Sequence, residues 1–200
     1  MENIPAIISS IAVILSAWFS YNQYAKNKLT DPKIEKWKAE EEVKSAKRSD
    51  NIAKIYGVLW QLLHELQADR VYIVQPHPLV NNLFLSVSLE VKRNGVSAMK
   101  PNVQRLPMQD VAAFSAELSA RDFLLYRNID IEVKDKRARA IMTTNGCCSV
   151  VVKRLTDDEH DWIGSIFCGF THEQQLQPAS LRQQLQEAAD HIQYILPEYK

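Results

Sequence analysis

From residue 3 to residue 25 the chain carries no charged side chain, and this stretch constrains the fold more than any other feature. As a helix, IPAIISSIAVILSAWFSYNQY spans about 30 Å, the thickness of a bilayer's hydrocarbon core. The run predicts a transmembrane helix over residues 3–25, with Ile4, Ile8, Ile11, Leu15, Trp18 and Phe19 as its lipid-facing anchor. Trp18, Tyr21 and Tyr24 gather at its C-terminal end, where aromatic rings favour the headgroup level. A cleaved signal peptide would need a basic n-region, and only Met1 and Glu2 precede the run. A core helix of a soluble domain would show a polar face, and here only serines are scattered along the helix. Ser9, Ser10 and Ser16, with Ala6, Ala12 and Ala17, also permit close helix–helix approach in lipid.

Lys26, Lys28, Lys33, Lys36 and Lys38 follow the run, against Asp31 and Glu35. The positive-inside rule therefore predicts a single-pass protein with its C-terminal domain in the cytoplasm. Three cysteines without CxxC spacing, Cys147, Cys148 and Cys168, fit reduced thiols and no zinc site. The whole chain holds 24 basic and 24 acidic side chains, which disfavours a nucleic-acid partner, since phosphate neutralisation needs a basic excess. Only 5 glycines occur, too few for a phosphate-cradling Gly-rich loop to be expected.

Thr30-Asp31-Pro32 has the form of a helix start. Residues 33–48 then alternate in charge with few apolar positions, predicting a solvated helical stalk over residues 26–49 with pairs such as Glu40–Lys44. Ser49-Asp50 offers a second cap or a continuation. Beyond it Ile52, Ile55, Leu59, Leu62 and Leu66 recur at spacings of three and four, extended by Val58 and Leu63. That stripe either packs on the domain's own sheet or forms the seam of a homodimer.

The remainder predicts a domain over residues 50–196 and a short tail, 197–200. Residues 70–74 are β-branched and aromatic, and Gln75-Pro76-His77-Pro78 is expected to stop them. Residues 83–92 alternate as Leu83, Leu85, Val87, Leu89 and Val91 against Phe84, Ser86, Ser88, Glu90 and Lys92, a strand buried on one face. Arg93-Asn94-Gly95 reads as a hairpin turn into a returning strand at 96–99. Asp110 can cap a helix through Ser119 with Val111, Phe114 and Leu118 inward. A short strand at 123–126 and a helix at 135–144 ended by Asn145-Gly146 follow. Strands at 148–155 and 162–170 flank an acidic loop, and an amphipathic helix closes the chain at 180–196. The fold class is α/β of the α+β kind: a mainly antiparallel sheet packed by N- and C-terminal helices.

The stretch AIMTTNGCCSVVVKRLTDDEHDWIGSIFCGFTHEQ, with Trp162-Ile163-Gly164-Ser165-Ile166-Phe167 in an I-G-x-[ILV]-like strand, and the closing SLRQQLQEAADHIQYIL resemble the second half of a GAF domain. The resemblance extends over roughly residues 50–196. It implies a GAF/PAS-like module whose sheet holds a small ligand on one face under short helices and loops, and which dimerises through its terminal helices. The Asn-Lys, Phe and Asp-Glu pattern of the cyclic-nucleotide-binding members is not found here. On this reading the ligand face draws on Tyr72, Phe84, Ser86, Ser88, Phe123, Tyr126 and Cys148, and a signal passes to a partner protein. The architecture also resembles the single-span holins of T-even-type phages, which join a membrane helix, a charged stalk and a compact domain; the face Leu185-Gln186-Glu187-Ala188-Ala189 is similar too. That alternative implies a lysis protein with its domain in the periplasm, bound there by an antiholin.

Catalytic chemistry is not expected. His64, His77, His160, His172 and His191 lie scattered without a metalloprotease, nucleophile-elbow or P-loop spacing. Asp157, Asp158, Glu159, His160 and Asp161 lack the turn-making glycine of a calcium loop and read as a solvated hairpin. Lys134, Lys136, Arg137 and Arg139 read as a solvated helix face diluted by Glu132 and Asp135. Neither a metal nor a cofactor is expected.

Overall fold

The structure, a computed structural model, describes residues 4–78, 83–173 and 177–197, excepting the side chains of residues 4–12, 25 and 27–33. It divides into two units, Met1–Ser49 and Asp50–Lys200.

One helix, α1, runs over Ile4–Glu65, so Thr30-Asp31-Pro32 does not start a new helix as its sequence signal suggested, and of the two readings of Ser49-Asp50 the continuation is the one that forms. A cap is a local preference of about 1 kcal/mol and an interior proline costs about 3 kcal/mol, while helix propagation adds a hydrogen bond per residue on either side. Asp50 pairs instead with Lys54 one turn on, at 2.7 Å. In the first unit every described side chain is exposed, including Leu15, Trp18, Phe19 and Trp37. Among the described residues no helix is long and apolar enough to cross a membrane. The predicted span falls partly outside them: residues 3–12 and 25, and with them Ile4, Ile8 and Ile11, lie beyond the described side chains.

The second unit is built on six strands among the described residues: β1 (Arg70–His77), β2 (Phe84–Lys92), β3 (Leu106–Pro107), β4 (Phe123–Tyr126), β5 (Ser149–Thr156) and β6 (Trp162–Phe170). They form one sheet in the order β3-β2-β1-β6-β5-β4, antiparallel at every pairing. α2 (Ala112–Ala120), preceded by a 3-10 turn, α3 (Ile129–Glu132), α4 (Lys136–Thr144) and α5 (Pro178–Ile192) complete the unit.

The apolar stripe of α1 decides one face of the sheet. Ile55, Leu59, Leu62 and Leu66 are buried in one cluster with Val71, Ile73, Ile166, Cys168 and Phe170 of the sheet and Leu181, Leu185, Ala189 and Ile192 of α5, and Ile52 packs against it. The stripe is therefore covered within the chain: of the two readings of Ile52, Ile55, Leu59, Leu62 and Leu66, the structure has the packing on the domain's own sheet. The opposite face packs Tyr72, Val74, Leu85, Val87, Val150, Val152 and Phe167 against Val111, Phe114, Leu118, Ala138 and Met142 of the 3-10 turn, α2 and α4.

Three expectations are corrected by hydrogen bonding. β1 continues through Pro76 because β6 pairs only with Arg70–Val74; beyond Val74 no strand among the described residues pairs with that edge of β1, and a proline there forfeits no ladder bond. The returning strand at 96–99 does not form. The Glu90 carboxylate takes the amides of Met99 and Lys100 at 2.6 and 2.9 Å, and the Arg70 side chain takes the Ser97 carbonyl, so this backbone is satisfied by side chains. In β2 the pairing steps from Ile73↔Leu89 to Val74↔Val87, leaving Ser88 in a bulge. Leu89 and Val91 accordingly join the α1/α5 side while Leu85 and Val87 join the other, although the sequence alternation places all four on one face.

Candidate functional site

The α2/α4 side of the sheet is roofed by segments with little regular structure. After β2 the chain crosses through residues 93–105, carrying Met99 and Val103, before β3 returns it to the sheet. The Asp135 carboxylate starts α4 by accepting the Arg137 and Ala138 amides at 3.0 and 3.1 Å, and it also reaches the Phe114 amide of α2. One side chain thus fixes two roof helices. Gly146, at φ +69°, ends α4 and returns the chain to β5.

Between roof and sheet lies an apolar cavity of about 40 Å³. Tyr72, Val87 and Phe167 form its floor, and Met99, Phe114, Leu118 and Met142 are among its roof. Phe114 leans on Phe167 and on Tyr126, both at 6.3 Å between centroids. A water needs about 10–15 Å³ and two to four polar partners, so a void with this lining favours a small apolar group. It is well below the roughly 150 Å³ that accommodates a benzene ring.

Of the seven residues expected on a ligand face, the structure brings two together here: Tyr72 lines the cavity and Tyr126 packs in the same cluster. The Tyr126 hydroxyl donates to Glu117 of α2, and burial together with that carboxylate pushes its phenol above the ordinary range. Burial likewise holds the Tyr72 phenol well up, so both rings stay neutral. The other five stand elsewhere. Phe84 is clasped between the His77 ring at 5.7 Å and the Arg105 guanidinium at 5.2 Å. Ser86 bonds His77 Nε2 at 2.8 Å and accepts the Arg105 amide at 2.7 Å. Ser88, in the bulge, donates to the Ile73 carbonyl at 3.3 Å. Phe123 packs with the α1/α5 cluster beneath the Arg182 guanidinium. Cys148 is exposed before β5, its Sγ bonded to the Thr171 carbonyl at 3.0 Å. The bulge explains the displacement of Phe84 and Ser86: a register counted from Leu89 assigns them to the wrong face.

Residues that sequence reasoning did not place on the ligand face include Val87, Phe167, Met99, Val103 and Met142, all of which line the cavity. The α2 positions were legible from Val111, Phe114 and Leu118; the crossing segment has no periodicity to betray its inward residues. Cys147 and Cys168 are buried, and burial pushes the Cys147 thiol up to about 11, so neither is a thiolate at neutral pH. Asp157 accepts the Glu159 and Asp161 amides, ordering the acidic hairpin from within. Among the described residues no cluster of His, Cys, Asp and Glu is arranged to hold a metal ion.

No model of a known protein family matches the sequence, and no curated protein matches it. Solved structures do. The photoproduct state of a GAF3 domain from Synechocystis superposes with a TM-score of 0.59 at 11% identity, covering 71% of this chain and 90% of that one. The blue-light-absorbing form of the Thermosynechococcus elongatus PixJ GAF domain gives a TM-score of 0.59 at 12% identity, over 75% of this chain and 87% of that one. A phycocyanobilin-bound GAF domain from a cyanobacterial phytochrome gives 0.53 at 15% identity, over 75% and 91%. The antiparallel sheet, its two layers of helices and these superpositions together give this chain the GAF-domain fold.

Proposed function

We propose that this protein is a non-enzymatic sensory or interaction module that binds a small, mainly apolar ligand between the sheet and its α2/α4 roof and passes the bound state to a partner protein. The observation that carries this reading is the apolar cavity over Tyr72 and Phe167. A void lined by apolar atoms forfeits contacts that a ligand restores, and it sits under the least regular segment of the domain, the part easiest to rearrange. Its size argues for a compact ligand; the phycocyanobilin of one structural neighbour would need the roof displaced.

The reading includes a membrane anchor at the N-terminus, with the domain on the cytoplasmic side. Its support is the uncharged run of residues 3–25, the lysines that follow it, and the exposure of Val13, Ile14, Leu15, Trp18 and Phe19, each between 59% and 67%. Consecutive apolar side chains left in water invite a cover, and lipid is the cover this length fits.

Methyl-labelled methionine gives a direct test of the cavity. Xenon, applied under pressure to the full-length chain in detergent, is expected to shift the Met99 and Met142 signals saturably and leave Met108 nearly unmoved. A uniform or absent response would remove the ligand reading.

A further inference from the structure

The Arg70 side chain is completely buried at the start of β1, on the cavity side of the sheet. Its Nη1 donates to the Ser97 carbonyl at 2.9 Å and its Nη2 to the Asn145 carbonyl at 2.5 Å. Its Nε has no hydrogen-bond partner, and among the described residues no carboxylate lies within ion-pair distance of the guanidinium. Buried charges are ordinarily paired, because desolvation of an ion costs several kcal/mol and two neutral carbonyls return only part of it. An arginine fork is shaped to take a carboxylate through two parallel bonds.

The place of Arg70 gives that charge a use. Ser97 begins the stretch that carries Met99 and Val103, and Asn145 follows Met142 at the end of α4; Met99, Val103 and Met142 all line the cavity. The seam is completed by Asn102 Nδ2 donating to Asn145 Oδ1 at 2.7 Å. Arg70 thus clasps two sides of the roof through the very donors that an anion would claim.

We infer that the ligand is a small amphipathic carboxylate, its apolar body in the cavity and its carboxylate on Arg70, displacing the Ser97 and Asn145 carbonyls and loosening the seam between residues 97–103 and α4. This rests on the ligand reading above and adds the chemical class and the element that moves. A carboxylate brings the guanidinium a countercharge that the two carbonyls lack, enough for about a tenfold preference over an uncharged analogue.

Butyrate and 1-butanol, titrated separately into the full-length protein with methyl-labelled methionine, test it. Butyrate is expected to shift Met99 and Met142 with an apparent Kd about tenfold below that of butanol. Arg70→Met is expected to abolish that preference and Arg70→Lys to keep part of it, both with unchanged far-UV circular dichroism. Butanol binding as tightly as butyrate to the wild type would overturn the carboxylate inference while leaving the cavity reading intact. Absence of any shift with either probe, and with xenon, would overturn both. The wild-type comparison decides the matter even where Arg70→Met fails to fold.

Discussion

Tyr72 and Phe167 are register partners across the β1–β6 pair, and their rings stack with centroids 5.0 Å apart and planes 13° from parallel. Each is 2% exposed, so the stack is a fixed floor on which Phe114 rests from above. Phe167→Ala is expected to destabilise the domain by about 3–5 kcal/mol, since it removes a ring from three-sided packing beside an existing void. Phe167→Leu should cost about 1–2 kcal/mol and enlarge the cavity, raising xenon occupancy. Equilibrium urea unfolding measures the first effect; a loss under about 1 kcal/mol for the alanine variant would mean that the roof collapses freely onto the sheet.

The difference between what the sequence predicted and what formed is concentrated at single residues. Strand periodicity, the α1 and α5 stripes and the Asn145-Gly146 end of α4 were all legible, because each is a repeated or local pattern. Ser88 was not: one inserted residue in β2 carries no signature, yet it moves Leu85 and Val87 to the cavity face and Phe84 and Ser86 away from it. The crossing segment was missed for a related reason. Its backbone bonds run to Arg70 and Glu90, partners distant in sequence that no turn rule for Arg93-Asn94-Gly95 can anticipate.

Acid should destabilise the protein in two separate windows. His77 is held below the ordinary histidine value of 6.5 by burial and by the Arg105 charge. The unfolded chain then takes up the proton first, so the stability tied to neutral His77 is full above 6.5 and lost as pH falls through the lower folded value. Asp69 is pushed up by burial, but the Thr171 amide and hydroxyl, with His172 and Arg93, outweigh it and leave the carboxyl below 3.8. Its contribution is present above that value and fades as pH falls through the folded one. His77→Gln should flatten the slope that sets in below 6.5, and Asp69→Asn the slope that sets in below 3.8, each without touching the other window. Midpoints of urea unfolding across pH decide this; a single slope altered by both variants would contradict it.

Two ion pairs of similar appearance should behave differently on substitution. Lys153 is buried to 6% side-chain exposure and meets Asp122, itself 71% exposed. Asp122→Asn leaves that ammonium without its charge partner, at an expected cost of about 1–2 kcal/mol after allowing for the exposed carboxylate. Lys54 and Asp50 are each 62% exposed, and Asp50→Asn should change stability by less than about 0.5 kcal/mol. Thermal unfolding of the two variants in low and high salt is the check. Salt should erase the Asp50 effect and leave most of the Asp122 effect, since a buried charge is poorly screened.

Gly164 and Gly57 form the sharpest pair, because alanine should act in opposite directions at the two. A Cβ on Gly164, in β6, would stand 2.9 Å from the Val74 carbonyl oxygen and 3.3 Å from the Gln75 side chain. The obstacle at 2.9 Å is the backbone of the neighbouring strand, so Gly164→Ala must push β1 aside where its pairing with β6 ends, for about 1–3 kcal/mol of destabilisation. A Cβ on Gly57, in α1, meets nothing within 4 Å. Alanine there gains helix propensity without a clash and should stabilise by about 0.5–1 kcal/mol. The helix carries its stripe onto the sheet at Ile55 and Leu59 on either side of Gly57, so the gain is read out as domain stability rather than local helicity. Opposite shifts in the urea midpoint, the larger one for Gly164→Ala, with unchanged m-values, are the expected record. A tolerated Gly164→Ala would mean that the two strands part more easily than their close approach requires.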